Sequence, residues 1–83
     1  MPETSSALSL DRAVRYQIRV PGQLDDTWSE WLAGMTMAIE ADARGRPVTV
    51  LVGALDQAAL HGLLRRLYAM GLPLLSVVCA EDR

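Results

Sequence analysis

The chain has 83 residues, the length of one small domain. Hydrophobic residues make up 51% of it, which is enough for a core and excludes disorder of the whole chain. The charge balance is eight basic residues, all Arg, against ten acidic ones, and the pI is about 5.1. Because surfaces that bind nucleic acid concentrate positive charge, we expect no nucleic-acid partner.

The sequence carries no signal for export or membrane insertion. Cys79 is the only cysteine, which excludes an intrachain disulfide and a cysteine metal cluster. Residues 1–10 lack the basic start and the apolar run of about 7–15 residues that a signal peptide needs. The apolar stretch at 72–80 is far below the roughly 18 residues of a membrane span. We therefore predict a cytoplasmic protein with no membrane partner.

The first half of the chain predicts a strand and a short helix after a disordered tail, residues 1–13. The alternation over 15–20 predicts a half-buried strand that ends at Pro21-Gly22. A helix is predicted over 24–34, because Thr27 and Glu30 have capping-box spacing and Gly34 suits a C-terminal cap. Its apolar stripe consists of Leu24, Trp28, Trp31 and Leu32.

The second half predicts a hairpin, a longer helix and a last strand. Strands are expected at 35–40 and 48–52, joined by the polar turn 42–47. The following helix starts after Asp56 as N-cap and ends at Gly71, and Leu60, Leu63, Leu64 and Leu67 form its apolar stripe. Gly62 inside this helix suggests a close approach to the sheet. The apolar segment 72–79 reads as the last strand.

This order of elements predicts one α+β domain over residues 14–83. Two β-α-β units joined by a central hairpin give the ferredoxin-like β-α-β-β-α-β fold. Its four-stranded antiparallel sheet carries two helices on one face and leaves the other face uncovered. On the pattern alone, Val48, Val50 and Val52 would face the core, and Thr49 and Leu51 the open face.

Several stretches resemble a widespread group of short bacterial proteins of unknown function. The matching runs are Tyr16-Gln17-Ile18-Arg19-Val20, Trp28-x-x-Trp31, Asp56-Gln57-Ala58-Ala59-Leu60-His61-Gly62-Leu63-Leu64 and Gly71-Leu72-Pro73-Leu74-Leu75-Ser76-Val77. The resemblance spans about residues 16–78. It implies no activity, cofactor or site residue.

Few residues suggest chemistry, and each has a simpler explanation. His61, Arg65 and Tyr68 share one face of the predicted second helix and form a candidate binding face, although a solvated face fits equally well. Asp25 and Asp26 suit helix capping, and Cys79 suits a small buried side chain. No phosphate loop, CxxC pair or His pair is present. We therefore predict no catalytic residue, metal site or cofactor.

The function expected from these features is a non-catalytic module that binds protein, either a second copy of itself or another protein. Its candidate interface combines apolar residues of the open face and the last strand: Leu51, Leu74, Leu75, Val77 and Val78. The Arg residues of the first strand would pair with Glu40 of a second copy. The alternatives are a small-ligand sensor or a small dimeric enzyme with a pocket near Trp28, His61 and Tyr68.

Overall fold

The computed structural model describes residues 12–25, 27–28 and 34–80. Within these ranges the elements are β1 (Val14–Pro21), β2 (Thr36–Ala41), β3 (Pro47–Leu55), α1 (Gln57–Ala69) and β4 (Ser76–Cys79). Neighbouring strands are antiparallel and lie in the order β2-β3-β1-β4. The expectation of an α+β chain with a four-stranded antiparallel sheet is confirmed.

Two expectations fall largely outside the described residues. Of the predicted tail, residues 1–13, only the exposed residues 12 and 13 are described. Of the first predicted helix, residues 24–34, the described part contains one turn, in which the Trp28 N–H donates to the Asp25 carbonyl at 3.2 Å. The Asp25 carboxylate accepts the N–H and the hydroxyl of Thr27. Trp31 and Glu30 lie outside the described residues.

Helix α1 begins and ends as its sequence predicts. Asp56 is the N-cap, and its carboxylate accepts the Ala59 N–H at 2.8 Å. At the other end Gly71 has a φ of +78°, which glycine adopts without steric cost. The N–H groups of Gly71 and Leu72 donate to the carbonyls of Tyr68 and Leu67, closing the helix in a Schellman motif.

The core lies between α1 and one face of the sheet. Alternate residues of β1 point into it, and Ile18 and Val20 are completely buried. Trp28 is buried in the same cluster, as expected of an aromatic residue on the first apolar stripe. The helix contributes three buried residues, Leu60, Leu63 and Leu67.

The expected orientation of β3 is wrong by one residue. Ile18 of β1 lies opposite Leu51, and Val20 lies opposite Thr49, so Leu51 and Thr49 face the core. Both side chains are 0% exposed. Val50 lies opposite Arg19 and therefore belongs to the open face, with Val48 and Val52. A shift of one residue turns every side chain of a strand to the opposite face.

Thr49 tolerates this buried position because its hydroxyl is fully used. The hydroxyl donates to the Gly22 carbonyl at 2.7 Å and accepts the Leu24 N–H at 3.0 Å. Both partners belong to the segment that leaves β1, and Gly22 also donates its own N–H to the Pro47 carbonyl at 2.8 Å. The Thr49 side chain therefore connects the segment after β1 to β3 through two hydrogen bonds.

We predict that Thr49→Val lowers the free energy of unfolding by about 2–4 kcal/mol, because it leaves two backbone groups without a partner at about 1–3 kcal/mol each. Thr49→Ser keeps the hydroxyl and should cost less than half as much. Urea unfolding followed by circular dichroism measures both variants. A larger loss of unfolding free energy for Thr49→Ser than for Thr49→Val would show that the methyl packing, and not the hydroxyl, stabilises this site.

The close approach expected at Gly62 occurs instead at Gly53. Gly62 is exposed, and a Cβ placed there would meet no atom within 4 Å. A Cβ on Gly53, in β3, would lie 2.6 Å from the Met35 Cγ and 2.9 Å from the Met35 Cα. Met35 enters β2 beside Gly53, so its backbone limits how far it can move away.

Alanine at positions 62 and 53 should have opposite effects on the free energy of unfolding. Gly62→Ala should raise the free energy of unfolding by about 1 kcal/mol, because the helix interior favours alanine. Gly53→Ala should lower it by about 1–3 kcal/mol through overpacking against Met35. Thermal melts of both variants and the wild type show whether each substitution raises or lowers the stability. A stabilised Gly53→Ala variant would contradict the close contact.

The β2–β3 turn is organised by one carboxylate. Asp42 Oδ1 accepts the N–H groups of Arg44 and Arg46 at 2.8 and 2.9 Å, and Oδ2 accepts the Arg46 Nε at 3.0 Å. The Arg46 N–H is the main cause of a pKa of Asp42 below its ordinary value of 3.8, which partial desolvation opposes. Gly45 completes the turn with a φ of +79°.

Because the pKa of Asp42 is lower in the folded state, its ionised carboxylate stabilises the fold at pH above 3.8. This stabilisation is lost as the pH falls through the pKa that Asp42 has in the folded state. Asp42→Asn removes the ionisation and the Arg46 ion pair. We expect the wild type to melt above Asp42→Asn at pH 6, with the difference shrinking toward pH 3. A difference in melting temperature that is the same at both pH values would contradict this role of Asp42.

Candidate functional site

Exposed apolar side chains concentrate at the β4 side of the sheet. In the described residues, most large hydrophobic side chains with high exposure lie in β4, in the segment before it, or at the end of α1. They are Tyr68, Met70, Leu74, Leu75, Val77 and Val78. The only other such residue in the described ranges is Ile39, on β2 at the opposite edge. An apolar cluster of this kind is typical of an interaction surface.

Strand β4 forms one edge of the sheet. It pairs with β1 along four residues, and in the described part of the chain no strand pairs with its other side. Cross-strand partners share a face, so Val77, opposite Ile18, is on the helix side, and Val78, opposite Gln17, is on the open face. Val78 is nevertheless 48% exposed, and Val77 37%. Both sides of β4 are thus apolar and accessible.

The interface residues predicted from the sequence therefore divide into two groups. Leu74, Leu75, Val77 and Val78 are exposed at one edge, where sequence reasoning expected accessible apolar residues. The placement of Leu51 on the accessible face is wrong, because the β1–β3 register turns it into the core. The alternation Val-Thr-Val-Leu-Val could be read in either register, and the buried hydroxyl of Thr49 decided between them.

On the open face, two charged side chains form an ion pair within the chain. Arg19 Nη1 lies 3.0 Å from Glu40 Oε1. Arg19 belongs to β1 and Glu40 to β2, so the pair crosses over β3, where Val48 and Val50 lie opposite Glu40 and Arg19. Both valines are buried. The expected pairing of Arg residues with Glu40 of a second copy is therefore replaced, for Arg19, by a pair inside one chain.

His61, Arg65 and Tyr68 all lie exposed on α1, and Tyr68 is 84% exposed. His61 Nε2 is 3.2 Å from the Gln57 Oε1, and the Gln57 amide donates to the Tyr16 hydroxyl at 2.7 Å. Tyr16 is buried, so this chain of hydrogen bonds attaches the start of α1 to β1. Of the residues named for the alternative pocket, Trp28 is buried in the core, whereas Tyr68 is exposed.

The remaining candidates have ordinary surroundings. Cys79 is an exposed free cysteine on β4, and the expectation that it is buried is wrong, because α1 leaves the edge strand uncovered. Among residues 12–25, 27–28 and 34–80, no three His, Cys, Asp or Glu side chains are grouped as metal ligands. None of the helices in these ranges is long and apolar enough to cross a membrane.

A comparison with protein-family models identifies the chain. The model of a domain of unknown function, DUF8691, matches residues 15–78, which include β2, β3, α1 and most of β1 and β4. The chain belongs to the DUF8691 family. No curated protein and no solved structure matches it. The family description gives no activity, so the function has to be argued from the β4 edge itself.

Proposed function

We propose that this DUF8691 domain is a non-catalytic protein-interaction module that self-associates through β4. The observation that carries the proposal is an edge strand that pairs on one side only within residues 12–25, 27–28 and 34–80 and has accessible apolar side chains on both faces. Unpaired backbone groups of an edge strand add a further strand readily, and natural proteins usually block such edges with charge or a bulky cover. The sequence of β4, Ser-Val-Val-Cys, carries no charge.

The opposite edge of the sheet supports this choice. Strand β2 carries Glu40, which is engaged with Arg19, and the Asp42 turn closes its end. A charged edge resists addition of another strand. The two edges therefore differ, and β4 is the one suited to pairing.

The proposal assumes the complete ferredoxin-like arrangement. The strand order β2-β3-β1-β4, with every pair antiparallel, is the order that two right-handed β-α-β units produce around a central hairpin. In that arrangement a first helix between β1 and β2 covers the β2–β3 side of the core. Helix α1 connects β3 to the edge strand β4, and in the described residues no strand pairs with the outer side of β4.

Light scattering coupled to size exclusion tests the proposal directly. We expect a mass of about twice 9.1 kDa for the wild type at tens of micromolar. Val77→Lys places a charge on the β4 edge and should yield a monomer. Ile39→Lys introduces the same charge at an exposed apolar position on the other edge and should remain a dimer.

Circular dichroism confirms that each variant is folded before its mass is compared. A wild-type monomer, or a dimer that Val77→Lys leaves intact, would contradict self-association through β4.

A further inference from the structure

The outward-facing backbone groups of β4 can be assigned from its register with β1. The Ala80 N–H donates to the Arg15 carbonyl at 2.7 Å, so Ala80 faces β1. Residues of an antiparallel edge strand alternate between facing the neighbour and facing outward. Ser76 and Val78 therefore face β1, and Val77 and Cys79 direct their N–H and C=O groups away from the sheet.

We infer that the partner of this edge is β4 of a second copy, antiparallel, with Val78 of each copy on the two-fold axis. The inference rests on the proposed self-association and specifies its register. In this register Val77 of one copy exchanges both backbone hydrogen bonds with Cys79 of the other, and the symmetric pair does the same. All four outward N–H and C=O pairs of Val77 and Cys79 in the two copies are then satisfied.

The register also continues the core across the interface. On the helix side Val77 lies beside Ile18, and Cys79 lies beside Tyr16. Pairing Val77 with Cys79 of the second copy gives an uninterrupted row from Ile18 of one copy to Tyr16 of the other. Ile18 and Tyr16 are buried, whereas Val77 and Cys79 are exposed in the single chain. The second copy covers the two members of this row that α1 leaves uncovered.

The open face is equally compatible with two-fold symmetry. There the register places Val78 directly opposite Val78 of the second copy, with Gln17 beside each of them. The row across the axis, Gln17-Val78-Val78-Gln17, has no charge and hence no like-charge repulsion at the point where the copies meet.

Helix α1 supplies further surface beside the paired strands. Leu64 and Tyr68 follow Gln57 by seven and eleven residues, which places all three along one line of the helix. Gln57 reaches down to Tyr16 in β1, the strand that pairs with β4. Leu64 is half-buried and Tyr68 exposed, so this line presents apolar surface on the helix side of the sheet. A specific interface needs about 800 Å² per partner, more than four strand residues provide, so the inferred dimer also needs surface from α1.

Three proteins with a single cysteine distinguish the possible registers. Val78→Cys with Cys79→Ser reports the inferred register, because directly opposite residues in that pair lie about 4.5 Å apart, within disulfide range. Val77→Cys with Cys79→Ser reports a register with Val77 on the axis, and the wild-type Cys79 reports one with Cys79 on the axis. In the inferred register, Val77 of one copy is displaced by about two residues along the strand from Val77 of the other, and the same holds for Cys79. The Cα atoms of each such pair are then farther apart than the roughly 7 Å limit for a disulfide.

Under mild oxidation of the purified dimers we expect at least about tenfold more disulfide-linked dimer from the Val78→Cys protein than from the other two. In wild-type dimer mixed from isotope-labelled and unlabelled chains, a filtered NOE should join the Val78 α-protons of different copies. This second measurement needs no substitution. Preferential cross-linking at position 77 or 79, or an NOE that joins a different pair, would overturn the register.

The results of these experiments distinguish failure of the inferred register from failure of the proposed self-association. A stable dimer whose Val78 positions neither cross-link nor show the NOE overturns the register and leaves self-association standing. A monomer by light scattering overturns both. Strand addition by an unlike protein would appear as a wild-type monomer, and it too would overturn the inference.

Discussion

The hydroxyl of Thr49 connects the segment after β1 to the middle of β3, and the arrangement of both sheet faces depends on this contact. It accepts the Leu24 N–H and donates to the Gly22 carbonyl, so the β1–β3 register that buries Thr49 leaves its hydroxyl paired in both directions. With Thr49 inward, Leu51 joins the core opposite Ile18, and Val50 turns to the open face opposite Arg19. A shift of one residue would place Val50 in the core beside α1 and turn Leu51 to the opposite face.

The same register determines which surface remains available. With Val48 and Val50 on the open face, Arg19 and Glu40 stand on either side of them and meet above β3. This ion pair is solvent-exposed at both ends and adds little stability by itself, in the range of about 0–1 kcal/mol for surface pairs. Val48 and Val50, which lie opposite Glu40 and Arg19, are themselves buried. Accessible apolar side chains are concentrated between the end of α1 and the edge strand β4.

Sequence patterns predicted the elements better than their orientation. The N-cap at Asp56, the glycine at position 71 and the leucine stripe act within a few residues of each other, and α1 forms where they indicate. The apolar character of the last strand was also readable, because no charged residue is adjacent to Val77 or Val78. The predicted tail and the predicted first helix, with Trp31, lie largely or wholly outside the described residues and stay predictions.

By itself, the sequence determined the order of the described strands and helix and the presence of surplus apolar residues near the C-terminus. These follow from local periodicity and capping, which act over a few residues. Only the tertiary structure decided which face of β3 joins the core beside α1, because the alternation around Thr49 fits both registers until Gly22 and Leu24 are brought to its hydroxyl from 27 and 25 residues away. The same holds for the close approach at Gly53, where the space for a side chain is limited by Met35, 18 residues earlier in the chain.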